Sequence, residues 1–215
     1  GNKKYEGEYL NDKKDGRWNE WDKNDNLIVN GIYHNNVKWS GMFDDGRYYK
    51  GQMVNRSEEY YENGTLKSQG LKIGEVKLDL WTFWYENGNK KEEGSYIEDR
   101  KDGQWSSWYK SGKKKDVGSY KDGGKDGEWR SWYYSGQRYY KRNYKLGQKH
   151  GPWVWWYDNG QKKYSGDYLN GKKDGQWFEW SSKGNLIING FYKDGKKWEG
   201  DFNNEKYLSG KKQNL

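Results

Sequence analysis

The chain has 215 residues, among them 15 Trp, 21 Tyr, 5 Phe, 30 Gly, one Pro and no Cys, with a formal net charge of +8. The missing cysteine excludes a disulfide scaffold, a thiolate-held metal and a cysteine nucleophile. Hydrophobic residues make up 31%, below the roughly 45–50% apolar share of a globular domain, and no apolar run nears the roughly 18 residues of a membrane span. Cohesion therefore falls to aromatic rings, whose abundance also argues against disorder.

Taken in chain order, the sequence divides by the regularity of an internal repeat, the feature to seek first in any chain. Residues 1–53 form variant units. Their Gly16, Trp18, Trp21, Leu27, Ile28, Asn30, Gly31, Tyr33, Trp39, Gly41 and Phe43 return 159 positions later. The counterparts are Gly175, Trp177, Trp180, Leu186, Ile187, Asn189, Gly190, Tyr192, Trp198, Gly200 and Phe202. The second variant block, 175–215, thus mirrors the first, as terminal caps of an array do. The stretch 54–80 reads as a degenerate repeat and a bend, with Leu78-Asp79-Leu80 in place of the usual turn before Trp81.

Regular units run over about 81–192. Trp81, Trp105, Trp129, Trp153 and Trp177 are spaced by 24 residues, and Trp84, Trp108, Trp132, Trp156 and Trp180 follow three behind. Gly94, Gly118, Gly166 and Gly190 each precede a Tyr by two, and Arg142 breaks this glycine series. Asn87-Gly88 and Asn159-Gly160 predict two-residue primed hairpin turns. Asp102-Gly103, Asp126-Gly127 and Asp174-Gly175 mark the opposite end of the unit. The runs between are too short for helices and rich in strand formers. The whole chain, 1–215, is therefore expected to be one continuous all-β array, an elongated single antiparallel sheet of tandem ~24-residue hairpins. Each periodic indole should lie over a strand glycine, a known means of stabilising sheets, with lysines solvating the hairpin ends.

Tyr5-Glu6-Gly7-Glu8-Tyr9 with Asp15-Gly16, and Lys149-His150-Gly151, resemble the MORN repeat. Tyr61-Glu62-Asn63-Gly64 and Trp84-Tyr85-Glu86-Asn87-Gly88 are similar to its bacterial YwqK-type variant. The resemblance implies an elongated β scaffold that contacts proteins or, in some members, membrane lipids, and an antitoxin-like inhibitor for some bacterial members. The tryptophan density, above that of eukaryotic members, argues against lipid.

The residues give little support to catalysis or to a cofactor. His34 and His150 both read as turn residues, and no nucleophile-elbow, phosphate-loop or metal-ligand spacing occurs. Each Asp-Gly or Asn-Gly turn offers about one carboxylate, too few for calcium. The adjacent pairs Glu58–Glu59 and Glu92–Glu93 point to opposite faces of a strand, so neither is an acid–base couple. Lysine runs beside aromatic rings invite a nucleic-acid reading, but 32 acidic residues are interspersed with them and arginine is scarce. Nucleic acid is disfavoured.

What remains is binding. Trp155, Tyr139 and Tyr140 exceed the repeat pattern, and together with Trp108, Trp132 and Trp156 they are the candidates for a displayed aromatic face. Such a face can bury against another protein, as hot-spot rings do, or stack on a glycan or cell-wall polymer. The protein scaffold is the first expectation and the glycan module the second. The chain opens on Gly1, as a processed or truncated chain would, and both secreted and cytoplasmic settings fit the composition.

Overall fold

The computed structural model describes residues 4–43 and 45–213. Among them are twenty-one strands and no helix. Strands pair antiparallel with their neighbours in the chain, except that Gln148–Lys149 and Gly151–Trp156 both pair with Arg138–Lys145, so one sheet grows as a meander from Tyr5–Leu10 to Lys211–Gln213. The regular unit is a pair of strands such as Arg100–Trp108 and Lys114–Lys121.

The two ends of a unit use different turn chemistry. At one end Gly88 N–H donates to Tyr85 O and Tyr85 N–H to Asn89 O. Only Gly88 has a positive φ there. The loop is therefore a three-residue hairpin with a glycine bulge, not the two-residue primed turn that Asn-Gly suggests. The primed turns lie at the other end. Asp122 and Gly123, Asn170 and Gly171, Asp194 and Gly195 all have both central residues at positive φ. The Asp-Gly pairs at 102–103, 126–127 and 174–175 are not turns at all. They sit within strands, and Gly103 is part of the register shift between Asp102 and Trp105. Asp102 and Asp126 instead brace the next primed turn, accepting the backbone N–H of Asp122 and Leu146.

One face of the sheet carries the core. Trp81, Trp105, Trp129, Trp153 and Trp177 are buried, each at most 4% exposed, and alternate along the sheet with Tyr96, Tyr120, Tyr144, Tyr168 and Tyr192. Most neighbouring rings meet edge to face, as Tyr96 and Trp105 do at 5.1 Å and 88°, the arrangement ring quadrupoles prefer. Gly70, Gly94, Gly118 and Gly166 lie beneath the indoles eleven residues on, too close for any β-carbon. At the ends the rings of Phe43 and Phe202 cover Gly31 and Gly190 in the same way. Each core indole N–H donates to a carbonyl ten residues back, from Trp18 to Glu8 through Trp177 to Asp167, so none of these six buried indoles carries an unpaired N–H.

Lysines complete this face. Lys14, Lys77, Lys101, Lys125, Lys149 and Lys173 each stand four residues before a core Trp, and their ammonium groups lie 3.8–5.3 Å from the ring centroid. These lysines are not the solvating hairpin ends expected of them. They roof the indoles with their alkyl stems and place a cation on the negative ring face.

The stretch 54–80 keeps the strand pattern but not the core rings. Ser57 and Lys72 stand where the next unit has Trp81 and Tyr96, so the aromatic file is interrupted. The strand Gln52–Tyr60 pairs through residues 52–54 with Gly46–Tyr49, and through 55–60 with Leu66–Ile73. Asp79, at φ +55°, takes the place Gly103 holds one unit later.

Candidate functional site

The core face is consumed by its own cohesion. The second tryptophan series lies differently. Between Trp129 and Ser131 the register is unbroken, so Arg130 projects opposite to Trp129; Trp132 follows it two residues on along the same strand, where a register shift leaves Tyr139 of the partner strand unpaired. Trp84, Trp108, Trp132, Trp156 and Trp180 are all half-buried. Their carbonyls are tied down by a rung of phenols: Tyr61, Tyr85, Tyr109, Tyr133 and Tyr157 donate to the carbonyls of these five in turn, at 2.8–3.0 Å. The rung fixes the spacing of the units that present them.

A cleft of about 350 Å³ opens on this series. It is lined by Arg130, Ser131, Trp132, Arg138, Tyr140, Lys141 and Trp156. Corresponding positions in the neighbouring units carry Ser106 and Val154 for Arg130, and Val117 and Ser165 for Lys141. Arg130 and Lys141 are direct cross-strand partners, a like-charge pairing that costs stability. Glu128 relieves it, its carboxylate lying 2.6 Å from each cation. The Lys141 hydrogen bond, more than the Arg130 one, holds the Glu128 carboxyl below the usual carboxylate range.

The structure places the sequence candidates in three groups. Trp132 and Trp156 line the cleft. Tyr140 contributes to it but is not the displayed ring expected: it is buried, and its hydroxyl donates to Asp116 at 2.6 Å. Burial first, then this bond, pushes its pKa up. Trp155 is likewise half-buried, packed 5.2 Å from Trp153 and joined to the core. Tyr139 is exposed and packs against Tyr133 at 4.6 Å with the rings tilted by 47°. Trp108 belongs to the same series outside the cleft, flanked by Lys90 and Lys114.

The residues that sequence reasoning missed are the cations. Arg130, Arg138 and Arg142 fall within one unit of a chain otherwise poor in arginine, and that clustering was the available signal. Arg142, where the other units have glycine, stacks its guanidinium 3.6 Å from the Tyr140 ring and 4.9 Å from Trp155. It also displaces the packing locally. Trp153 meets Tyr144 and Tyr168 at 57° and 56°, against 83–89° for its repeat-mates Trp105, Trp129 and Trp177 with the tyrosines before them.

The histidines and the paired carboxylates lie outside the cleft. His34 Nδ1 lies 3.2 Å from Asp15 Oδ2. His150 precedes the positive-φ Gly151, the place of Asp102 and Asp126, so it belongs to a bulge and not to a turn. Glu92 pairs with Lys101, Glu93 with Lys90, and Glu58 with Arg56. Among the described residues no group of three His, Asp or Glu side chains converges as a metal site would.

The sequence profile described as MORN repeat variant matches five tandem segments, 53–71, 80–98, 101–122, 125–146 and 149–170. The chain belongs to the MORN-repeat family. No curated protein matches it. Repeats of the MORN kind are generally associated with protein- or membrane-binding scaffolds and are generally non-enzymatic. The first matched segment, 53–71, lies almost wholly in the degenerate stretch, where the core rings are missing but the hairpin pairing persists. The cleft spans the last two matched segments, so its departures from the repeat occur on an intact MORN frame.

Proposed function

We propose that this MORN-repeat chain is a non-enzymatic scaffold that binds another protein through the sheet face carrying Trp84, Trp108, Trp132, Trp156 and Trp180. The observation that supports the reading most is the division of labour between the two tryptophan series. One is buried over glycines and capped by lysines. The other is half-buried on the opposite face, recurs every 24 residues, and is centred on a cleft where Arg130 and Lys141 break the repeat. A rigid file of partly exposed indoles with a polar rim has the composition of a protein-binding hot spot. A pocket of this size lies at the lower end of the roughly 300–1,000 Å³ of small-ligand sites, but it is one station on a long face.

The test compares the full chain with the Trp132→Ala/Trp156→Ala variant, both immobilised and exposed to lysate, with circular dichroism to confirm that the sheet is intact. A protein retained by the parent and lost from the folded variant supports the scaffold. A panel of soluble polysaccharides titrated against tryptophan fluorescence supplies the contrary outcome. Emission shifts with a glycan, and no protein retained, would make the chain a glycan module instead.

A further inference from the structure

Arg138 stands apart from the other two cations of the cleft. Glu128 occupies Arg130 and Lys141. The Arg138 side chain is exposed, and among the described residues it makes no hydrogen bond, ion pair or ring contact. It pairs across the strands with Trp132 and shares the cleft with Trp156. The same position holds Lys90, Lys114 and Lys162 in other regular units. Lys90 there is neutralised by Glu93 at 2.5 Å. No carboxylate lines the cleft. Three cations against the single Glu128 beside them leave an uncompensated positive charge, concentrated on a guanidinium between two indoles.

A guanidinium presents two parallel N–H groups in a plane, the geometry that a carboxylate accepts and that an ammonium cannot offer. The indoles on either side supply apolar walls next to that fork. We propose that the cleft anchors an acidic peptide segment of the partner, one carboxylate forked by Arg138 and an adjacent apolar or aromatic side chain lodged between Trp132 and Trp156. This rests on the scaffold reading and gives its partner a chemistry. Arg130 and Lys141 line the same cleft, but their charges are already paired with Glu128, which leaves Arg138 as the fork for the bound carboxylate.

The probe is a dye-labelled peptide containing Glu-Glu-Phe-Glu, titrated by anisotropy against the full chain. Its controls are the Gln-for-Glu version, a Lys-for-Glu version and polygalacturonate as a carboxylated glycan. The acidic peptide is expected to bind at least about tenfold more tightly than its Gln version, in line with hydrogen bonds to charged groups, and to weaken with added salt. Arg138→Gln should abolish that preference, and Arg138→Lys should recover only part of it. Equal binding of acidic and Gln peptides, or an unchanged affinity in Arg138→Gln, overturns the anchor. Tighter, Arg138-dependent binding of polygalacturonate overturns it in favour of a glycan. If the lysate protein is still retained through Trp132 and Trp156 while the peptide result is negative, the scaffold stands and only the acidic anchor falls. Loss of both removes the scaffold reading as well.

Discussion

The indole of Trp129 lies flat on Gly118, so close that a β-carbon on the glycine would stand 2.2 Å from Trp129 Cδ2. The same contact joins Gly94 to Trp105 and Gly166 to Trp177. It makes the bare backbone one half of the core. Gly118→Ala is therefore expected to cost about 1–3 kcal/mol through forced displacement of the ring. Gly64→Ala, with φ +80° but open space, should lose about 1 kcal/mol from the backbone alone. Urea midpoints with the near-ultraviolet indole signal compare the two. A Gly118→Ala protein as stable as its parent would show that the ring is free to lift.

Lys125 tests what the roof over the indoles is made of. Its ammonium lies 4.0 Å from the Trp129 centroid, and burial lowers its pKa. Attraction to the ring, about 0.5–2 kcal/mol, is thus set against partial desolvation of the charge. The stem covers the ring whether or not the charge is present. Lys125→Met, which keeps the cover, should change stability by less than about 1 kcal/mol, while Lys125→Ala should lose about 1–2 kcal/mol. Thermal or urea unfolding decides it. Equal losses in the two variants would mean that charge, not cover, matters.

The tyrosine rows make the fold sensitive to alkali. Burial is the largest cause raising Tyr96, to about 12, and it raises Tyr120, Tyr168 and Tyr192 as well. The folded phenols hold their protons to a higher pH than the unfolded ones, whose ordinary pKa is 10.0. Their contribution to stability is complete below that value and is lost as pH rises towards 12. Lys125 and Lys173, lowered by burial, act in the opposite sense but are outnumbered. Phenolate absorbance should develop late, together with loss of the sheet's circular dichroism. Tyrosines titrating near pH 10 with the sheet intact would show that these rings are solvated.

Much of this architecture was legible in the residues. The 24-residue interval of Trp105, Trp129, Trp153 and Trp177, with glycines eleven positions before all but Trp153, specifies a strand repeat in which a ring meets a bare backbone. That is local chemistry: alternation, turn residues and the absence of a β-carbon need no knowledge of distant neighbours. The tertiary structure decided three matters that single positions do not encode. Asp102-Gly103 looks like a turn, but its partner strand continues past it, so the pair becomes a bulge and the carboxylate braces a turn twenty residues away. Lys125 looks like surface charge until the indole four residues on is laid beneath it. Tyr140 and Trp155 looked like additions to a binding face, yet they fall on the core side, while Arg138 stands exposed between Trp132 and Trp156. Periodicity sets which residues can form strands; the face each side chain occupies depends on bulges and cross-strand registry, which arise only when the strands come together.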